Sequence, residues 1–225
     1  MSTFPATMLC TSGLAAEARI ARAAGFSTVV GAGDRDRTTA LVENAARQAN
    51  CLVSFGIAGA LAPELRAGDV VISTEVVSDA GRWQAADAFR SRVAALAAGI
   101  GAIEGPVLGA LRIIASTDEK RRAWVETGAL AVDLESDVVA RIAASAGIPF
   151  VVVRTIADSV HRELPPAALI PLAEDGTPNL ARVLASVVRQ PRQVAALCGL
   201  ARETRTALAA LVLPARALHG LVAAA

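Results

Sequence analysis

The sequence predicts an α/β fold: one domain, with a central mixed β-sheet flanked by helices. Three observations carry this. Short β-branched runs alternate with Ala-rich stretches of helical length. Some runs, PFVVV at 149–153 above all, are apolar without interruption, as strands covered on both faces are. And 225 residues, 54% of them hydrophobic, suffice for one sizeable core, with no internal repeat and no Gly- or Ser-rich linker to divide it.

Taken in order, ATMLCT (6–11) reads as the first strand and 13–25 as the helix after it. STVVG (27–31) and CLVSFG (51–56) are strands on either side of a helix over 35–49. The third strand runs into GIAGAL, where two glycines and two alanines favour a turn that brings backbone close to another group. DVVISTEV (69–76), 106–115, 129–134 and 149–156 supply the remaining strands. Helices are expected over 84–100, 118–127 and 136–147. The last of these has clear punctuation: Ser136 to cap it, Asp137 in its first turn, Gly147 and Pro149 to end it. A C-terminal helical extension, 178–225, holds helices over 178–190 and 192–223, the second broken near Pro214.

Composition excludes several classes. A formal charge of +1 offers no footprint for nucleic acid. Cys10, Cys51 and Cys198 are odd in number and lack metal-ligand spacing, which suits reduced thiols in a cytoplasmic protein. The N-terminus has no basic region ahead of an apolar one, and no uncharged apolar stretch reaches the ~18–20 residues of a spanning helix. Neither His161 nor His219 has neighbours that suggest a metal, and no cofactor is expected. Trp83 and Trp124 read as packing residues that could also face an aromatic ligand. GAGDRDR (31–37) looks like a phosphate loop, but GxG alone is weak, and Arg35 and Arg37 read equally as an exposed charge cluster.

In open α/β sheets ligands bind at the carboxyl ends of strands. Three such ends carry unusual chemistry: 51–56 enters GIAGAL, 129–134 enters Glu135, and 149–156 enters Asp158. Glu17 lies just inside the first helix. Three carboxylates and a glycine-rich segment are therefore expected to converge on one rim. Each has a bland alternative: Glu135 as a helix-entry charge, Asp158 as a turn cap, Glu17 as a solvated helix residue. Asp133 and Asp137, which flank Glu135, are expected at a solvent-facing strand position and in an exposed first turn.

FGIAGALAPELRAGDVVIS (55–73), AVDLES (131–136) and IPFVVVRTIADS (148–159) occur in the order found in the purine nucleoside phosphorylase and nucleosidase superfamily, which the chain resembles over roughly 7–165. It looks nearest to the methylthioadenosine/S-adenosylhomocysteine nucleosidases. VDLES and the Arg/Ala-rich tail also resemble the hopanoid-associated phosphorylases, bacterial proteins expected to remove adenine from adenosylhopane. The resemblance implies a phosphorylase/hydrolase-like fold, a homo-oligomer, and cleavage of a purine nucleoside at its N-glycosidic bond. It assigns Glu135 and its neighbour Leu134 to the nucleoside, Asp158 to protonation of N7, and Glu17 to activation of water. Gly56, Ala58 and Gly59 match the segment that lets backbone approach the ribose.

Two departures bear on the reaction. Where phosphorylases of the superfamily hold phosphate with Arg and Ser, this chain has Ser54 and Ile57. That favours water over phosphate, unless Arg35, Arg37 or Arg82 substitutes. Where nucleosidases offer an aromatic under the purine, the chain has STDEKRR (116–122), and Lys120 cannot stack that way. The tail over 192–225 reads either as an amphipathic helix packed on the sheet or a second subunit, or as a greasy peripheral membrane surface that receives a lipid-linked nucleoside. Two other readings stay open: a phosphate-dependent phosphorylase and a non-catalytic nucleoside-binding module.

Overall fold

The computed structural model describes residues 8–223, apart from the side chains of Ala88, Phe89, Leu96, Ala97, Ile100 and 220–223. Ala6 and Thr7, the start of the first predicted strand, lie outside the described residues. The chain forms β1 (Met8–Ser12), α1 (Ala15–Ala23), β2 (Ser27–Val30), α2 (Arg35–Ala46), β3 (Cys51–Ala60), β4 (Val70–Ser78), β5 (Gly81–Gln84), α3 (Asp87–Ala97), β6 (Ile103–Gly109), α4 (Thr117–Thr127), β7 (Ala131–Asp133), α5 (Ser136–Ala146), β8 (Phe150–Asp158), α6 (Leu180–Arg189), α7 (Val194–Ala210) and α8 (Val212–Ala223). The expected α/β architecture, a mixed sheet flanked by helices, is what the chain adopts.

Strand β3 organises the sheet. Its first half pairs in parallel with β1, which pairs in parallel with β2. Along nearly its whole length it pairs in parallel with β8, and near its end it pairs antiparallel with β7. Strand β8 pairs antiparallel with β4, which pairs in parallel with β6, and β6 with β7. The strands β3, β8, β4, β6 and β7 therefore close into a ring. Every residue of β8 is buried, which explains its unbroken apolar run.

The structure departs from the sequence reading at four places. GIAGAL does not turn: β3 continues to Ala60, and neither Gly56 nor Gly59 has a positive φ. Small residues are needed there because side chains from other elements cross the strand. Residues 81–84, placed between strand and helix, form β5, a hairpin partner of β4 with Ser78 opposite Gly81. Its two-residue Asp-Ala loop lacks the Asn-Gly or Asp-Gly signal of a tight hairpin. The strand expected over 106–115 is shifted to Ile103–Gly109, because Ser116 and Glu119 form a capping box that starts α4 and leaves the preceding residues as its approach. The predicted 192–223 helix divides at Leu211, and Pro214 falls in the first turn of α8, where a missing amide is tolerated.

The tail packs inward. Helix α7 lies on β8, where Thr155 Oγ1 donates to the Ala207 carbonyl at 2.9 Å, and α8 lies on α1 and α3. Leu211, Ala215 and Leu218 join a core cluster with Phe26, Val53 and Val153. Helix α6 differs. None of its residues is buried, and it rests chiefly on the short turns Pro166–Leu169 and Pro191–Gln193. Among the described residues, no helix is long and apolar enough to cross a membrane.

Candidate active site

The site forms along β3, where the side chains of three other elements cross Gly56 and Gly59. From β1 the chain passes Gly13 and Leu14 into α1, and Glu17 folds back over this turn. Its Oε2 accepts from the amides of Gly13 (2.9 Å) and Leu14 (2.8 Å), and its Oε1 accepts from the amide of Ile57 on β3 (2.8 Å). Glu17 is therefore a capping residue of α1 and a bridge to β3 at once, and it is buried rather than solvated.

Strand β7 runs antiparallel to β3, with Val132 opposite Gly59, so the chain beyond Asp133 heads back along β3 towards Gly56. That direction delivers Glu135 to the middle of β3 rather than to its end. Glu135 occupies the N-cap position of α5 and is buried. Its carboxylate lies against Gly13 so closely that a Cβ there would stand 2.6 Å from Oε1. The amide of Gly33, from the turn after β2, also donates to it. The GAG turn (31–33) thus closes this side of the site, with Gly33 beside the Leu134 side chain.

Arg154, which the sequence reading passed over, is the hub. It sits on β8 opposite Gly56 and is wholly buried. Its Nε donates to Asp133 Oδ2 at 2.9 Å and its Nη2 to Ser54 Oγ at 2.6 Å, while Glu135 Oε2 lies 3.6 Å from Nη2. A Cβ on Gly56 would lie 2.6 Å from both Arg154 Nη1 and Glu17 Oε1, so glycine is required where these two side chains meet. The signal was present: one Arg inside VVVRTIAD, a run otherwise fit only for a core.

Asp133 is not solvent-facing. Besides Arg154, it accepts from the amides of Glu135 (2.8 Å) and Ser136 (2.7 Å), so it, and not Ser136, caps the start of α5. Asp137 is not an exposed first-turn charge either: it is fully buried, accepts from Ser78 Oγ and pairs with Arg35.

Asp158 ends β8. A bulge that skips Ala157 sets it opposite Gly59, three residues along β3 from Gly56. Three strand residues span about 10 Å, so a sugar at Gly56 and the base it carries can be met together. Asp158 is buried and is bonded by Lys120 of α4. Ala58, between the glycines, packs its methyl into the core, leaving only backbone to face a ligand.

Burial governs the electrostatics. It pushes the Glu135 carboxyl up to about 7; Arg154 opposes this, the negative charges of Asp133 and Glu17 add to it, and the Gly33 amide opposes it. Glu135 is therefore no ordinary ionised carboxylate. Burial also raises Glu17, against Arg154 and the three backbone amides, and raises Asp158, against Lys120. Among the described residues no cluster of His, Cys, Asp and Glu is arranged to hold a metal. Trp83 lines a separate cleft of about 320 Å³ at the opposite end of β8, with Pro149 and Phe150, and so does not face this site. Trp124 is partly exposed on α4.

Comparison with known structures supports the same architecture. The fold is similar to that of methylthioadenosine/S-adenosylhomocysteine nucleosidase from Neisseria meningitidis in complex with methylthio-immucillin-A (TM-score 0.65, 17% identity, covering 94% of this chain and 97% of that one). It is also similar to the corresponding nucleosidase from Colwellia psychrerythraea in complex with adenine (TM-score 0.68, 13% identity, 99% and 98% covered). Futalosine hydrolase of Helicobacter pylori matches at a TM-score of 0.61 and 17% identity, over 82% of this chain and 98% of that one. At such identities the likeness shows the fold. The sequence itself goes further: residues 26–189 match the model of the phosphorylase superfamily, and the chain belongs to that superfamily.

Proposed function

We propose that this chain, acting as a single catalytic unit over 1–225, cleaves the N-glycosidic bond of a purine nucleoside with water as nucleophile. The observation that carries the reading is the convergence of Glu17, Glu135 and Arg154 at Gly56, with Asp158 at Gly59 on the same strand. Breaking the bond leaves positive charge on the ribose ring and negative charge on the base. Glu135, beside Leu134, accepts from the ribose hydroxyls. Asp158, raised by burial, gives its proton to N7. Glu17 takes the proton of the attacking water, and the turn over Gly56, Ala58 and Gly59 supplies backbone contact. Metal and cofactor have no part in this reading.

Water is favoured by the state of the anion-binding groups. The Ser54 hydroxyl is engaged by Arg154 and Ser136, and Ile57 has none to offer. Arg154 is surrounded by Asp133, Glu135 and Glu17, which would repel a phosphate dianion. Arg35 is tied to Asp137, Arg82 to Glu75, and Arg37 bonds the Val30 carbonyl. The test is product analysis with an adenine nucleoside in phosphate-free and phosphate-rich buffer. Free base and free ribosyl product without phosphate are expected. A strict phosphate requirement with a ribose-1-phosphate product overturns the hydrolytic reading, and absence of turnover leaves a nucleoside-binding module.

The finer reading is a lipid-linked adenine nucleoside, as in adenosylhopane, met by a cytoplasmic enzyme at an anionic membrane face. Its support has moved from the tail to α6. Leu180, Leu184 and Val188 form an exposed apolar stripe, and Arg182 and Arg189 lie beside it with no acidic residue in 178–202. Cosedimentation with vesicles containing anionic lipid, lost in Leu184→Glu, is expected. Concentration-dependent self-association through α6 in place of vesicle binding would assign the stripe to a homo-oligomer.

A further inference from the structure

Lys120 has no exposed surface, although it stands in the charged run DEKRR near the start of α4. Its ammonium donates to Asp158 Oδ2, to the Ser159 carbonyl at 3.1 Å and to the Arg162 carbonyl at 2.8 Å. An ammonium has three protons, and these three acceptors use all of them. The side chain is thereby fixed: it lies alongside Asp158 and is not free to donate to a ligand. Two other charged groups act on Asp158, Arg162 just beyond β8 and Glu203 on α7, and they are bonded to each other. From β3, Gly59 presents no charge. Lys120 is thus the unshared cation of Asp158.

We propose that Lys120 is a positioning residue for departure of the base: it holds Oδ2 of Asp158, presents the other carboxyl oxygen to the purine, and stabilises the carboxylate that remains once Asp158 has given up its proton. This rests on the nucleosidase reading above. In the step, the electron pair of the breaking C1′–N bond passes into the base, N7 takes the proton of Asp158, and the water oxygen bonds C1′ while its proton goes to Glu17. Negative charge therefore appears on Asp158 as the bond breaks. A fixed ammonium aimed at that oxygen needs no reorganisation to meet it. Lys120 occupies the place where an aromatic would lie under the base, so the chain uses this position to tune the acid rather than to stack.

An adjacent opposite charge favours the ionised carboxylate, so Lys120 makes Asp158 the stronger acid and sets the pH at which the site loses its proton. Lys120→Met should move the alkaline limb of the kcat/KM profile to higher pH, by about one to three units. Below that limb kcat should fall more than KM changes, because the weaker acid delivers its proton less readily. A substrate with an activated leaving base should be affected least. Carbon-13 titration of the Asp158 carboxyl in the ligand-free protein, identified by its loss in Asp158→Asn, should show the same upward move. Lys120→Gln, which keeps donors but not charge, serves where Lys120→Met fails to fold and carries the same expectation. An active wild-type enzyme whose alkaline limb and Asp158 titration are unmoved in the folded variant overturns the role of Lys120. A wild-type protein that turns over no purine nucleoside overturns the nucleosidase reading instead.

Discussion

Asp158 must hold a proton at working pH and yet release it to the base. Burial favours the first and Lys120 the second, with burial the larger effect. Asn at this position keeps the shape and a hydrogen bond but has no acidic proton. Asp158→Asn is therefore expected to fold normally and to lose about two to four orders of magnitude in kcat; wild-type rates in steady-state assays would refute the assignment. Glu135 carries a different task. In place of water, a sugar is to satisfy its oxygens, since Arg154 stands 3.6 Å away and the Gly33 amide is a single donor. Glu135→Gln should weaken turnover of ribosides more than of 2′-deoxyribosides, which lack one of the hydroxyls. Equal losses on both, measured as kcat/KM, would remove Glu135 from the sugar.

At the scale of elements, β3 does what a glycine-rich turn was expected to do. It stays extended, and its missing side chains leave room for Arg154 and Glu17 on one stretch and Asp158 on the next. Gly56→Ala would put a methyl 2.6 Å from both Arg154 and Glu17, and neither can retreat without breaking buried hydrogen bonds. Destabilisation of about 1–3 kcal/mol, as for other overpacked sites, is expected together with loss of turnover. Urea melts and an activity assay check this, and a stable, active variant would show that the crossing is looser than drawn. This geometry marks the limit of what the sequence discloses. The strands were legible because apolar runs and their punctuation are local, and Glu17, Glu135 and Asp158 were legible as acids in apolar company. Arg154 and Asp133 were not, because their partners come from other elements: Ser54 stands 100 residues from Arg154 and Asp133 stands 21. Lys120 was hidden for the same reason. In DEKRR it reads as a solvated charge until β8 brings Asp158 to it.

For the whole molecule, the site is a set of buried charges that the fold must carry at every pH. Glu135 makes this measurable. Its carboxyl rises from an ordinary value of 4.5 to about 7 on folding. Between these values the native protein holds a proton that the unfolded chain has released, so the unfolding free energy falls as pH rises through that window. One such group contributes at most about 1.4 kcal/mol per pH unit. Glu17 and Asp158 are raised too and act in the same direction above their ordinary range. Glu119, exposed and held down to about 2 by Arg112, has the opposite sign, and its influence is complete by the time pH reaches the ordinary glutamate value. Glu135→Gln isolates the one contribution, since Gln cannot titrate. In urea melts at pH 5 and pH 7.5, the wild-type protein should lose stability relative to this variant as pH rises, with the m-value unchanged. The same difference at both values would mean that Glu135 remains an ordinary carboxylate in the folded state, and that Arg154 outweighs its burial.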